Sequence, residues 1–362
     1  MKTVSKKAGV QFSGRWRYRL ENLRALYWSM AAVTVRRAVH GPHLPGWTWS
    51  FEVGTEFLRR QTKSAFEMPN IVDSREYLDA LVYNSPALAR VQTQSVEGRV
   101  CGTWYRPEGE IPGRTLLYLH GGAYAYYAQA HASLIASIAL ACRAKTFALD
   151  YRLSPEHPYP AQLDDARSAY DWLSNQNIDP QQFVIAGDSA GGNLTLALLL
   201  SLRESGMTMP RLAVGIAPWT DLTNHGASTE NEQHDFLTKK MAEQWSRWFC
   251  HGHDPRDPRI SPLFADLRGL PPIYLQAGAA EVIRDMILDF ARRGNEQGAD
   301  VTLEVWDHMN HDFQAFGDGA PQSKQALLRL AEVVDAHLAK KCPQPENHAL
   351  DTAEESSQTA IA

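Results

Sequence analysis

An α/β fold, a mostly parallel sheet flanked by helices, is what this chain predicts, and three observations carry it. Short apolar runs of strand length recur at 115–119, 146–150, 183–186, 212–216, 273–276 and 301–306. Helical patterns separate most of them, and strands that alternate with helices pair in parallel with helices on both faces. Ahead of them, 90–96 and 99–105 read as a hairpin turning at Glu97-Gly98. Together these give a central sheet of about eight strands whose first pair is the hairpin.

Taken in order, residues 1–85 read as helical, punctuated by Gly41-Pro42 and Pro45-Gly46, and form an N-terminal cap region. A core domain spans 86–340, with helical patterns at 131–144, 161–175, 192–204, 281–297 and 323–339. Its rhythm breaks between Thr220 and Pro271, where a polar, Trp-bearing helical stretch at 235–249 marks a second cap element, inserted at about 222–260. The Pro-, Glu- and Ser-rich tail at 341–362 is expected to be disordered.

The composition bounds the partners. A formal charge of −5 gives no reason to expect nucleic acid. Cys101, Cys142, Cys250 and Cys342 are scattered without a C-x-x-C pair, which reads as free thiols in a cytoplasmic protein. Cys250-His251-Gly252-His253-Asp254 resembles a metal cluster but reads as a linker, and no metal or cofactor is expected. No run has transmembrane length, and no signal peptide is expected.

The N-terminus is strongly basic: Arg15, Arg17, Arg19, Arg24, Arg36 and Arg37, with Lys2, Lys6 and Lys7, face only Glu21. The expectation is a solvated basic face on a helix packed over the core. Peripheral membrane contact by a basic amphipathic helix is the alternative. A homodimer stays open beside a monomer.

The chemistry centres on residues 184–194, where an apolar run enters a Gly187-Asp188-Ser189-Ala190-Gly191 turn and a helical run leaves it. This is the G-x-S-x-G strand–turn–helix that exposes a serine nucleophile. Side chains at Gly187 or Gly191 would crowd the neighbouring strand and helix. A serine hydroxyl also needs a base, an acid to orient the base, and donors for an oxyanion. Upstream, His120-Gly121-Gly122-Ala123 follows a strand and supplies candidate donors.

With these motifs on the page, the chain resembles the hormone-sensitive-lipase-like branch of α/β-hydrolase esterases, the bacterial family IV carboxylesterases. The likeness rests on LHGGAY at 119–124, DYRLSPEHPYPAQLD at 150–164, GDSAGGNL at 187–194, PWTDL at 218–222 and SPLFADLRGLPP at 261–272. It covers roughly 85–340. The resemblance implies Ser189 as nucleophile and an oxyanion hole from Ala190 and the Gly121, Gly122 and Ala123 loop. Ala123 stands where the family usually has glycine, and it serves if its φ is negative. The family's acid position falls on Glu281, with Asp285 one turn on as the rival, and its His-x-Phe pattern selects His311 over His308. Asp312 replaces the usual glycine. Tyr124, Tyr126, Tyr127 and Trp219 are candidates to line the substrate site, and Tyr151, Arg152, Glu156 and His157 to support the oxyanion loop.

The implied function is a serine carboxylesterase hydrolysing short- to medium-chain acyl esters or lactones through an acyl-enzyme. The alternatives are an acyltransferase or amidase using the same triad, and a non-catalytic ligand-binding relative.

Overall fold

The computed structural model describes residues 8–339, so the tail at 341–362, Cys342 and the lysines at 2, 6 and 7 lie outside the described residues. The central sheet has eight strands. In chain order they are β3 (Val91–Val96), β4 (Gly102–Pro107), β5 (Thr115–Leu119), β6 (Lys145–Leu149), β7 (Phe183–Asp188), β8 (Leu212–Ile216), β9 (Ile273–Gly278) and β10 (Val301–Trp306). Across the sheet they lie in the order β10-β9-β8-β7-β5-β6-β4-β3. The expected hairpin is β3 with β4, antiparallel, and β4 joins β6 antiparallel. The six strands from β5 to β10 run parallel.

A strand buried on both faces must be apolar at every position. β5 (TLLYL) shows this, because all five residues are buried. Leu116 and Tyr118 face α4 (His131–Cys142) and α9 (Pro321–Ala339). Leu117 and Leu119 face the opposite layer, formed by α5 (Ala161–Ser174), α6 (Ser189–Glu204) and α8 (Arg284–Glu296). Period-two alternation thus fills two cores from one strand.

Two boundaries differ from expectation for chemical reasons. The helix expected from 281 begins at Arg284, because Glu281 sits in the preceding turn with Oε1 accepting the Gly278 N–H at 2.9 Å. The helix expected from 192 begins at Ser189, straight after β7.

The N-terminal region holds α1 (Trp16–His40), α2 (Trp49–Phe66) and α3 (Ile71–Asp79), but it is not wholly helical. β1 (Gly9–Phe12) and β2 (Leu81–Asn84) pair antiparallel as a separate ribbon. The inserted helix is α7 (Lys239–Cys250). Among the described residues, no helix is long and apolar enough to cross a membrane.

The expected solvated basic face on α1 holds only in part: Arg15, Arg17, Arg19 and Arg24 are exposed, but Arg36 and Arg37 are drawn in. Arg36 reaches inward to Glu52 at 2.5 Å and Arg37 bonds the other oxygen of the same carboxylate, while Arg15 pairs with Glu76 and Asp73. Glu52 is buried and also accepts the His43 N–H at 3.0 Å, so one carboxylate knits α1, α2 and the turn between them. Beside Arg17 and Arg24, the outward face of α1 carries Trp16, Leu20, Tyr27, Trp28, Val35 and Val39.

Removing one partner of a buried, charge-assisted network leaves the others under-satisfied. Glu52→Gln is expected to cost about 2 kcal/mol, read as a lower urea midpoint, with amide exchange in α1 rising ahead of that in the central sheet.

Candidate active site

Every candidate catalytic group sits past the carboxyl end of a parallel strand, where ligands bind in open α/β sheets. Ser189 follows β7 with φ 51, in the left-handed region that non-glycine residues rarely occupy. Such strain is held only where packing over-determines it. The packing is visible at Gly191, where an added Cβ would lie 1.9 Å from the Leu119 carbonyl oxygen. With no room for a side chain, the first turn of α6 closes onto the end of β5 and pushes the serine hydroxyl into the cavity.

The structure brings Ser189, His311 and Glu281 together. His311 Nε2 lies 2.9 Å from Ser189 Oγ, and its Nδ1 lies 2.8 Å from Glu281 Oε2. The carboxylate fixes Nδ1 as the donor, which leaves Nε2 to accept the serine proton. Glu281 is fully buried; burial raises its pKa, and the hydrogen bond from His311 pulls it back down. Asp285 faces elsewhere, accepting from Ser228 Oγ at 2.5 Å and Arg284 Nε at 2.7 Å. His308 is an exposed loop residue whose carbonyl accepts from Trp47 Nε1 at 2.7 Å.

The loop after β5 is pinned to the elbow. Asp188 Oδ1 accepts the Gly121 N–H at 2.9 Å and the Tyr118 hydroxyl at 2.7 Å. This corrects one expectation, because a Gly121 N–H held by Asp188 is not offered to an oxyanion. Gly122 and Ala123 do line the cavity beside Ser189. Gly122 has φ +101, and a Cβ there would lie 2.2 Å from the Tyr126 carbonyl oxygen. Ala123 has φ 54, not the negative value expected, so alanine bears here the left-handed strain that glycine would avoid.

His120 anchors its own loop. Its Nδ1 donates to the Gly121 carbonyl at 2.7 Å, and its ring is stacked between Tyr127 and Tyr151 at 3.7 and 4.1 Å. Burial pushes its pKa well down, so it stays neutral. Tyr127 is therefore a loop support rather than a cavity wall. Tyr124 is also corrected: it is fully buried, stacks on Phe249 at 3.9 Å and donates to Asn193 Oδ1 at 2.5 Å. Trp219 and Tyr126 do line the cavity.

Among the supporting residues, the Tyr151 hydroxyl donates to the His120 carbonyl at 2.6 Å. Glu156 takes a two-pronged pair from Arg75, at 2.7 and 2.8 Å. Arg75 Nε also donates to the Ala125 carbonyl at 2.8 Å, so an α3 side chain ties the oxyanion loop to the 150s loop. Sequence reasoning missed Arg75, Asp188 and Asp235. Asp235 is buried near His311, with its oxygens taking the N–H groups of Val282 at 2.8 Å and Phe236 at 2.7 Å. Nothing in its local pattern marks it, since Val282 lies 47 residues away.

The cavity beside Ser189 has a volume of 780 Å³. Its walls come from Leu26 and Met30 of α1, Val53 and Phe57 of α2, Leu134 of α4, and Ala242 and Trp245 of α7.

Comparison with known proteins agrees with this geometry. The sequence profile described as alpha/beta hydrolase fold matches residues 116–315. An acetyl-hydrolase of Streptomyces hygroscopicus is 39% identical over 67% of this chain and 80% of its own. An esterase of Acinetobacter venetianus is 31% identical over 79% of this chain and 96% of its own. The crystal structure of an esterase from the bacterial hormone-sensitive lipase family superposes with a TM-score of 0.71 at 32% identity, covering 78% of this chain and 97% of that one. The chain belongs to the hormone-sensitive-lipase branch of the α/β-hydrolase family. The esterase EstE5, soaked with p-nitrophenyl butyrate, gives a TM-score of 0.72 at 33% identity over 78% of this chain and 99% of its own. With a hydrogen-bonded Ser–His–Glu array in this family, the protein is a serine hydrolase acting on esters.

One departure from the family pattern stands against the reacting atoms. Asp312 has φ 48, and its Oδ2 lies 3.2 Å from His311 Nε2, the nitrogen that faces Ser189. Its Oδ1 is buried with no hydrogen-bond partner among the described residues. Burial drives the Asp312 pKa well up; the His311 charge opposes this, and Asp188, Glu281 and Asp235 add to it. Burial also lowers the imidazole pKa, but Asp312, Glu281 and Asp235 outweigh it and hold it above the usual range. A general base acts as neutral imidazole, so kcat/KM rises as pH passes upward through that pKa. Deleting one of the groups that raises it must lower it. Asp312→Asn is therefore expected to move the acid limb of the kcat/KM profile to lower pH, and an unmoved limb would show that the carboxyl does not act on the imidazole.

Proposed function

We propose a carboxylesterase for apolar esters of short to medium acyl chain, lactones included, with Ser189 as nucleophile, His311 as base and Glu281 as the acid that orients it. The observation that carries this reading is the 780 Å³ cavity with mainly apolar walls that meets the Ser189 hydroxyl. An aliphatic ester buries its chains against such walls, while its carbonyl is the one polar group needing fixed donors.

His311 Nε2 takes the Ser189 proton as Oγ attacks the ester carbonyl, and the carbonyl electrons move onto oxygen. The N–H groups of Gly122, Ala123 and Ala190, the last in the first turn of α6, receive that oxyanion. The imidazolium, stabilised through Nδ1 by Glu281, then gives its proton to the leaving alcohol oxygen as the C–O bond breaks. Water repeats the sequence on the acyl-enzyme and releases the acid. Trp219 lines the same cavity and is read as a contact for the apolar part of the ester. Residues 1–85 and the insertion at about 222–260 are read as the two parts of a cap. Free thiols at Cys101, Cys142 and Cys250 support a reducing, cytoplasmic setting.

Ser189→Ala is expected to abolish hydrolysis of p-nitrophenyl butyrate with the circular dichroism unchanged; retained turnover would overturn the assignment. Across p-nitrophenyl esters of increasing length, kcat/KM is expected to peak between four and eight carbons, as a rough range for an apolar pocket of this kind. Glu281→Gln is expected to lower kcat roughly a thousandfold or more, whereas Asp285→Asn leaves it within a few-fold of the parent.

A further inference from the structure

α1 carries apolar side chains outward as well as inward. An ideal helix turns 100° per residue, which places Trp16, Leu20, Tyr27, Trp28, Val35 and Val39 within an arc of about 140°. All six face solvent, with Trp16 75% exposed, Trp28 68% and Val39 68%. The buried side holds Tyr18, Asn22, Ser29 and Val33. There the Asn22 amide donates to the Tyr77 carbonyl at 3.0 Å and accepts from Gln61 at 2.7 Å. A helix on a water-soluble surface puts its apolar stripe inward. Here Asn22 and Ser29 are turned inward and satisfied beside Tyr18 and Val33, while two tryptophans, a tyrosine and three aliphatic side chains are turned out. An exposed, largely apolar face of this kind marks a contact surface.

The charges on it identify what covers it. Arg17, Arg24 and Glu21, the one acidic residue of α1, lie exposed on the same arc, so its charge is net positive. Two copies of this face packed together would bring like charges into an apolar contact. A bilayer containing anionic lipid accepts both features, with rings and aliphatic chains at the acyl boundary and guanidinium groups on the phosphates. The face is also continuous with the substrate cavity. Going round α1, the cavity-lining Leu26 and Met30 sit next to the edge marked by Tyr27 and Thr34. At that edge Trp49 Nε1 donates to Thr34 Oγ1 at 3.0 Å, and Trp49 lines the cavity as well. Val10 and Tyr83, both largely exposed, complete the same rim.

We propose that α1 is an interfacial docking helix, whose outer face lies in the surface of an anionic bilayer and whose flank opens the cavity to esters dissolved there. The second half rests on the esterase reading; the docking does not.

The full chain is tested by co-sedimentation with vesicles of phosphatidylcholine alone and of phosphatidylcholine with phosphatidylglycerol. The parent is expected to sediment with the anionic vesicles. Trp28→Ser with Val35→Ser should weaken that binding roughly tenfold or more, and Arg17→Gln with Arg24→Gln should remove the preference for anionic lipid. All three proteins should keep the parent circular dichroism and the parent turnover of soluble p-nitrophenyl butyrate. Vesicle binding is read without turnover, so a dead esterase would leave it standing. Parent protein that stays in the supernatant, or a serine variant that sediments like the parent, overturns the proposal. So does a parent dimer by size exclusion that the serine variant dissolves, which would make a second copy the occupant.

Discussion

The site depends on one constraint, the close approach of two backbones at the carboxyl ends of β5 and β7. Gly191 stands where a Cβ would fall 1.9 Å from the Leu119 carbonyl oxygen, and Ser189 is held at φ 51 beside it. A left-handed non-glycine residue costs about 1–3 kcal/mol, offset by the buried sheet on either side. The same closeness lets the Asp188 carboxylate hold Gly121 and Tyr118, so that nucleophile and oxyanion loop are fixed to each other by one side chain. Ala123 at φ 54 shows how far the loop geometry is imposed from outside, since its own residue type argues against it.

Around this frame the electrostatics are unusually acidic. Glu281, Asp235 and Asp312 act on one imidazole, and burial raises the pKa of each. Glu281 is placed to carry charge because it accepts from both His311 and the Gly278 N–H. Asp312 has one oxygen without a hydrogen-bond partner among the described residues and the other 3.2 Å from His311 Nε2. The difference between the two acids is one of hydrogen bonds, not of residue type.

Much of the fold was legible because strand burial and helix periodicity are local. The runs at 115–119, 212–216 and 301–306 coincide with β5, β8 and β10. β1 and β2 were not legible, since each has four residues and finds its partner about seventy positions away. The basic count at the N-terminus was legible only in part, for a related reason. Charge along a sequence does not say which arginine reaches a buried acid, and Arg36 and Arg37 turn inward to Glu52.

The sequence by itself determined the order of the chemistry: a glycine-flanked serine after a strand, a glycine pair upstream, an acid and a histidine downstream. Those are short-range patterns, imposed by turns that admit few residue types. Tertiary structure decided which acid meets the histidine, which tyrosines stack on loops instead of lining the cavity, and which face of α1 meets the outside. Each of these depends on side chains tens or hundreds of positions apart, such as His311 and Ser189 across 122 residues. The elbow is a local motif, but its neighbours are chosen by the packing of the whole sheet.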